Sequence, residues 1–277
     1  MKKILLPIDP SEYTKTAWRY IIEISKSQKV FVEGIAILDV LDIIEQTVTF
    51  FPLPQGTEGH EKKREELLRE TRKRVEEELI RFKHNCKKIN IRCQAKIMEG
   101  RPDFILEKES SYNDLLVMGL RNRFHFETRK KPETSLKDVV GHITIPVLGV
   151  PESHRPIKKV LMAYDESPSS IRAIQHFSHL MKGMNYEIIL LTKSDEEKNS
   201  FEKLKRLEEY LSHHGNMPVK KRWISHSLRK TVEKDYLDKV DLVVCGQHSH
   251  NPIEEFFVGK FTSFLIDQNR TAIFISR

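Results

Sequence analysis

Two aspartates, each near the end of a short apolar run, are the residues best placed to bind a polar ligand. Asp9 lies in the segment KILLPIDPS, which starts at Lys3, and Asp165 lies in KVLMAYDES, which starts at Lys159. A carboxylate there can accept hydrogen bonds from the amino or hydroxyl groups of a ligand. An aspartate followed closely by serine is equally typical of the start of a helix. The residues alone leave both interpretations open.

Two glycines end a second pair of apolar runs. Gly119 closes the segment DLLVMG, and Gly246 closes DLVVCG. Glycine has no Cβ, so a ligand can approach the backbone closely. In an open parallel sheet, ligands bind beyond the carboxyl ends of the strands, where the strand order reverses. If the aspartate strand and the glycine strand are neighbours, each Asp–Gly pair predicts one crevice.

These paired segments show an internal repeat. A third pair, Ile145–Val150 and Thr271–Ser276, follows in the same order. Amphipathic helix patterns separate the short apolar runs, which is typical of βαβ units around a buried parallel sheet. We therefore expect an α/β fold: two tandem doubly wound five-stranded parallel-sheet domains, in strand order 3-2-1-4-5, paired as a pseudo-dimer. Because bare edge strands are rare, the last strands of the two domains are expected to pair within one chain.

The expected domain limits are 1–151 and 155–277, with a polar linker between Pro151 and Pro156. The first domain carries an extended segment at about 40–84. This segment contains Phe50, Phe51 and Leu53, followed by a long charged helix at about 61–82. Three large apolar residues in a polar loop predict a covered hydrophobic patch.

Charge and cysteine content restrict the class of protein. The 47 basic and 40 acidic residues give a net charge of +7 and alternate along the sequence, so specific nucleic-acid binding is not predicted. The three cysteines form no C-x-x-C pair, and their odd number favours a reducing compartment. No apolar run is long enough to span a membrane, and the first run is too short for a signal peptide. We expect a cytoplasmic protein that does not enter membranes.

The motif Asp-x-Ser after the first strand, with a glycine after the fourth, resembles the universal stress protein family. The resemblance covers nearly the whole chain, twice. In nucleotide-binding members the fourth strand leads into Gly, two residues, Gly, nine residues, and then Gly-Ser or Gly-Thr. These glycines bring backbone N–H groups and a helix N-terminus to the phosphates of ATP, which is a sound anion site. The resemblance therefore implies ATP as a candidate ligand.

The second repeat retains part of this loop. Gly246 and Gly259 have the family separation, whereas Ser249 stands at the middle glycine and Lys260 stands at the final Ser or Thr. Lys260 can form a charge-assisted contact with phosphate, which would offset the loss of the middle glycine. Together with Asp165, these residues imply weak ATP binding mainly in the second repeat.

The first repeat departs further from the family loop. Gly119 is present, Asn122 takes the middle position, and Glu133-Thr134 replaces the final Gly-Ser or Gly-Thr, one residue late. A glutamate beside phosphates is electrostatically unfavourable. The candidate residues Asp9, Gly119, Asn122 and Thr134 are therefore expected to bind a nucleotide less well than those of the second repeat.

The resemblance implies a non-enzymatic stress-response regulatory protein, expected to form a homo-oligomer and to meet protein partners that the sequence does not identify. Two alternatives stay open: a scaffold of the same family that binds no nucleotide, and an ATP-using enzyme on a related sheet. The enzyme is disfavoured because the sequence has no S-G-G-x-D-S or H-x-G-H motif. No catalytic residue is predicted, and no metal beyond one accompanying a nucleotide.

Overall fold

The structure is a computed structural model that describes residues 1–39, 58–122, 124, 134–215, 217–247 and 259–277. Several residues that the sequence singles out lie outside these ranges. They are Phe50, Phe51 and Leu53 of the predicted patch, and Glu133 and Ser249 of the two loops.

The first repeat, called copy 1, begins with the pattern predicted from the sequence. Its elements are β1 (Lys2–Ile8), α1 (Glu12–Ser25), β2 (Val30–Leu38), α2 (Glu58–Lys88), β3 (Arg92–Glu99), α3 (Pro102–Ser110), β4 (Leu115–Gly119), β5 (Arg121–Asn122), β6 (Thr134–Ser135), α4 (Leu136–Val140) and β7 (Val147–Val150). The helix α2 is longer than predicted, because its buried stripe continues through Phe82 to Cys86. The strand β3 consequently begins later than the predicted Ile89. No helix in the described ranges is long and apolar enough to cross a membrane.

The second repeat, called copy 2, has the shorter helix expected after its second strand. Its elements are β8 (Lys159–Ala163), α5 (Pro168–Leu180), β9 (Glu187–Lys193), α6 (Glu197–Ser212), β10 (Val219–Ile224), α7 (Leu228–Thr231), which continues into a π-helical turn (Val232–Tyr236), β11 (Leu242–Gly246), α8 (Lys260–Gln268) and β12 (Ala272–Ser276).

The long strands form a single ten-stranded sheet in the order β10-β9-β8-β11-β12-β7-β4-β1-β2-β3. Within each copy all neighbouring strands of this ten-stranded sheet are parallel. Numbered within a copy, the order is 3-2-1-4-5 in both halves. The predicted α/β doubly wound architecture is confirmed.

The two halves of the sheet join through the last strand of each copy. The strands β7 and β12 are antiparallel, with Gly149 opposite Ile273 and Leu148 opposite Phe274. A Cβ at Gly149 would lie 2.6 Å from Cδ2 of Leu136, so glycine lets α4 lie close to this seam. The predicted pairing of the two edge strands within one chain is confirmed.

An apolar layer covers each face of the sheet, and both layers contain residues from both copies. Tyr20 of α1 and Phe177 of α5 are fully buried in one layer. Leu106 of α3 and Leu265 of α8 are buried in the other. Because both layers continue across the seam, the two repeats share their hydrophobic cores.

Candidate functional site

A cavity of about 170 Å³ opens in copy 2 beyond the carboxyl ends of β8 and β11. The strand order reverses between these two strands, which is the position at which doubly wound sheets bind ligands. Three of the predicted residues, Asp165, Gly246 and Gly259, line this cavity. The structure therefore brings the central part of the copy 2 prediction together.

Asp165 accepts hydrogen bonds at the start of α5, and its side chain is also exposed. Its Oδ1 accepts hydrogen bonds from the backbone N–H of Ser167 at 3.0 Å and from the Ser167 hydroxyl at 2.6 Å. The Ser167 Oγ in turn accepts from the N–H of Ser170 at 3.1 Å, capping the helix. The carboxylate thus takes part in the start of a helix and is also exposed, and its binding of a ligand stays a prediction.

The equivalent aspartate of copy 1 is enclosed. Asp9 is 3% exposed, and its Oδ1 accepts hydrogen bonds from the N–H of Ser11 at 3.0 Å, from the Ser11 hydroxyl, and from the Thr14 hydroxyl at 2.7 Å. In copy 2 the residue corresponding to Thr14 is Ser170, whose hydroxyl donates to the carbonyl of Ser167 instead. The first turn of the helix therefore contributes a second hydroxyl to the carboxylate in copy 1, and in copy 2 the corresponding hydroxyl binds the backbone.

The other copy 1 candidates close a turn of their own chain. Asn122 is 1% exposed; its Oδ1 accepts from the N–H of Gly119 at 3.1 Å, and its Nδ2 donates to the carbonyl of Gly119 at 2.8 Å. Asn122 also pairs with Thr134 in the β5–β6 ladder. Gly119, Asn122 and Thr134 therefore lie close together, but the side-chain amide of Asn122 binds the backbone of Gly119.

The two loop glycines have a packing role that the sequence analysis missed. A Cβ at Gly246 would lie 2.6 Å from Oγ of Ser169 and 2.8 Å from the backbone N of Ser170. A Cβ at Gly119 would lie 2.4 Å from the carbonyl O of Arg121. These separations are far below van der Waals contact. Glycine is therefore required at both positions whether or not a ligand binds.

Other residues that were not predicted also line the copy 2 cavity, among them Tyr164, Lys193, Phe261 and Thr262. Lys193 is exposed and ends β9 at the same edge as Asp165. Comparison of the two repeats could have identified it, because Ile37 holds the matching position of copy 1. Burial, followed by the negative charges of Glu166 and Asp165, raises the pKa of Tyr164, so its hydroxyl stays protonated.

The floor of the cavity contains a thiol with little reactivity. Cys245 is 2% exposed, and burial raises its pKa to about 12 despite a hydrogen bond with the Thr262 hydroxyl. The Thr262 hydroxyl lies 2.9 Å from the carbonyl O of Gly246 and donates to it. Since the thiolate is the nucleophilic form, Cys245 acts as a packing residue.

The two crevices lie at opposite ends of the sheet's strands, because the strands of copy 1 and copy 2 are antiparallel across the seam. The helix α8 contacts residues near both crevices. Its N-terminal Phe261 lines the copy 2 cavity, whereas Asp267 near its C-terminus pairs with Lys137 at 2.5 Å and with Arg121, just beyond Gly119, at 3.6 Å.

The other two predicted residues of the copy 2 loop are Lys260 and Ser249. Lys260 is the first residue of α8 and is exposed, but it is not among the described residues that line the cavity. Ser249 lies outside the described residues. Within those residues, no group of three or more His, Cys, Asp or Glu side chains is arranged to hold a metal ion.

Comparison with known proteins shows which proteins are similar to this chain. No protein-family model matches the chain. A universal stress protein from Synechocystis is 23% identical over 152 residues, which is 54% of this chain and 53% of that protein, so the match spans about half of the relative's length. A universal stress protein structure from Archaeoglobus fulgidus has a TM-score of 0.69 and 18% identity and covers 100% of this chain and 96% of that chain. A putative universal stress protein from Pseudomonas aeruginosa has a TM-score of 0.53 and 12% identity, covering 100% and 93%.

The architecture is that of two doubly wound α/β domains joined in one sheet. The resemblance to universal stress proteins is confirmed at the level of the fold: along its whole length the chain has the fold of the Archaeoglobus fulgidus universal stress protein structure.

Proposed function

We propose that the protein is a non-enzymatic stress-response regulatory protein of the universal stress protein type, which binds an adenine nucleotide such as ATP weakly in copy 2. The observation that carries this proposal is the cavity at the strand-order reversal of copy 2, with an exposed carboxylate, Asp165, and an exposed ammonium group, Lys193, in its lining.

The chemistry of the lining suits a flat heteroaromatic base with a charged extension. Ala163, Leu191 and Phe261 supply apolar and aromatic surface, and Asp165 can accept from an amino or hydroxyl group. Ligand pockets that enclose a drug-sized molecule usually measure roughly 300–1,000 Å³. A cavity of about 170 Å³ would enclose the base and leave the phosphates near Lys193 and the N-terminus of α8, which supports weak binding.

Copy 1 is proposed to serve as a structural partner of copy 2. The enclosed carboxylate of Asp9 and the backbone-bound amide of Asn122 support this role. A scaffold that binds no nucleotide in either copy is the second candidate function, and the same two observations favour it.

Domain limits and assembly are further parts of the proposal. We place the domains at 1–151 and 155–277. The connecting residues are packed against the body of the protein: the carbonyl of Glu152 accepts from the Thr16 hydroxyl at 2.6 Å, and Arg155 donates to the carbonyl of Arg270 at 2.7 Å. Assembly into a homo-oligomer and a cytoplasmic location complete the proposal.

Replacing Lys193 with glutamine is expected to weaken ATP binding by about 5- to 30-fold, because a charge-assisted contact with phosphate contributes roughly 1–2 kcal/mol. Calorimetric titration of magnesium-ATP into the purified protein measures the effect. Lys205→Gln is the matched control, because Lys205 is an exposed lysine on α6 outside the cavity. Substitution of Gly246 or Gly119 cannot serve this purpose, since both glycines are needed for packing.

The titration separates the two candidate functions. Equal affinities for Lys193→Gln and Lys205→Gln would show that the nucleotide binds elsewhere. No heat with the unaltered protein, together with the absence of nucleotide in freshly purified material, would favour the scaffold.

A further inference from the structure

We infer that Gln247 is a positioning residue, which anchors one wall of the copy 2 cavity on copy 1. Its side-chain amide donates to the end of α4 in copy 1, and its backbone holds Gly259, directly before α8. The inference concerns the geometry of this wall, and its consequence for ATP affinity rests on the proposed function.

Gln247 is enclosed, and both ends of its side-chain amide are hydrogen-bonded. The residue is 1% exposed. Its Nε2 donates to the carbonyl O of Val140 at 2.8 Å, and its Oε1 accepts from Nε of Arg277 at 3.2 Å. Arg277 also donates to the carbonyl O of Gly141, the residue after α4. Because a buried polar network with all its bonds made favours one arrangement, these contacts fix Gln247 relative to copy 1.

The backbone of Gln247 connects this anchor to the cavity. Gln247 follows Gly246, which lines the cavity at the end of β11. Its N–H donates to the carbonyl O of Ser276 at 2.9 Å, and its carbonyl O accepts from the N–H of Gly259 at 2.7 Å. Gly259 and Phe261, at the start of α8, belong to the cavity lining. The position of Gln247 therefore determines where the start of α8 lies.

Copy 1 has the same backbone arrangement without the amide. Leu120 follows Gly119 at the end of β4. The N–H of Leu120 donates to the carbonyl O of Val150 at 2.8 Å, and its carbonyl O accepts from the N–H of Leu136 at 3.1 Å. Leu120 is fully buried in an apolar layer, so an apolar side chain is compatible with the fold at this position. Since burial of an amide costs desolvation free energy, packing alone does not account for Gln247.

The variant Gln247→Leu gives copy 2 the side chain of copy 1 and removes both hydrogen bonds of the amide. The carbonyl O of Val140 still accepts from the N–H of Ile143 at 3.3 Å, so the melting temperature should change by less than about 3 °C. ATP binding should weaken by about 3- to 10-fold, because the start of α8 is no longer held in one position. Calorimetric titration of magnesium-ATP measures the affinity, and scanning calorimetry measures the melting temperature.

The matched control is Gln28→Leu. Nε2 of Gln28 also donates from one copy to the other, to the carbonyl O of Leu180 at the end of α5, and Gln28 lies outside the cavity lining. This control loses the same kind of contact between the copies and should leave the ATP affinity unchanged. Gln247→Met, which keeps the length of the side chain, is a second variant and should behave like Gln247→Leu.

Hydrogen exchange without nucleotide, followed by mass spectrometry, tests the anchor independently of ligand binding. In Gln247→Leu the peptide that contains Gly259 and the first turn of α8 should exchange several-fold faster than in the unaltered protein, and in Gln28→Leu it should not. Unchanged exchange of this peptide in both Gln247 variants would overturn the inference.

The titration gives two further contrary outcomes. ATP affinity that is unchanged in both Gln247 variants would overturn the inference. An equal loss of affinity in Gln247→Leu and Gln28→Leu would do the same, because it would reflect a general loosening of the contacts between the copies. No heat with the unaltered protein would contradict the proposed function alone, and the exchange measurement would then decide the inference.

Discussion

Replacing Gly119 with alanine is expected to lower the free energy of unfolding by about 3 kcal/mol, near the upper end for an added methyl group in a packed site. The new Cβ would lie 2.4 Å from the carbonyl O of Arg121 and 2.6 Å from Cβ of Tyr13. Neither atom is the far end of a flexible side chain, so the loop after β4 or the start of α1 must move. Urea denaturation followed by circular dichroism measures the loss.

The matched control is Gly215→Ala. A Cβ at Gly215 would meet only Met217, with its flexible Cε at 3.3 Å, so the unfolding free energy should change by less than about 0.5 kcal/mol. Gly246→Ala should behave like Gly119→Ala, because its Cβ would meet the first turn of α5. Similar losses for Gly119→Ala and Gly215→Ala would contradict the packing explanation.

The second large effect concerns a buried carboxylate in copy 1. Glu33 on β2 is 3% exposed and forms ion pairs with Lys3 at 2.7 Å and Lys96 at 3.0 Å. Gln94 and Asn113 donate to the same carboxylate at 2.8 and 3.3 Å. A buried charge with this set of partners is stable only while the set is complete.

The charges around Glu33 make its contribution to the stability of the fold depend on pH. Burial alone would raise the pKa of Glu33, but the hydrogen bonds from Lys3, Lys96 and Asn113 outweigh it and lower the pKa from 4.5 to about 2. A carboxyl group whose pKa is lower in the folded state stabilises the fold at pH values above 4.5. This contribution is lost as the pH falls from 4.5 to about 2.

Glu33→Gln is therefore expected to lower the free energy of unfolding at pH 7 by about 2–3 kcal/mol. The expected loss stays below the full value implied by the pKa because Lys3 and Lys96 are partly solvated. At pH 2 the two proteins should differ much less. Urea denaturation at several pH values measures both quantities, and Glu12→Gln on exposed α1 surface is the control. A loss that is equally large at pH 7 and at pH 2 would refute the electrostatic origin.

The repeat made most of the fold predictable. Three pairs of short apolar runs in the same order indicated two copies of one parallel sheet, and the rarity of bare edges indicated that the copies pair. The length of α2 was underestimated because its C-terminal turns are highly charged, although Phe82 and Cys86 keep one side buried.

The site was less predictable because it depends on contacts between elements. The sequence places Asp9 and Asp165 identically, yet the hydroxyl of Thr14 donates to the carboxylate of Asp9, whereas the hydroxyl of Ser170 donates to the carbonyl of Ser167. The glycines were interpreted as ligand contacts, whereas their steric environment reflects helix packing. Lys193 could have been found by comparing the two repeats, since Ile37 stands at the matching position of copy 1.

The seam between β7 and β12 has a consequence for synthesis of the chain. β12 follows every other described strand along the chain, so the edge of β7 in copy 1 stays open until copy 2 has been made as far as β12. An open apolar edge strand can pair with another nascent chain. Dense polysomes, in which many such chains lie close together, are therefore where exchange of edge strands between molecules competes most strongly with correct closure.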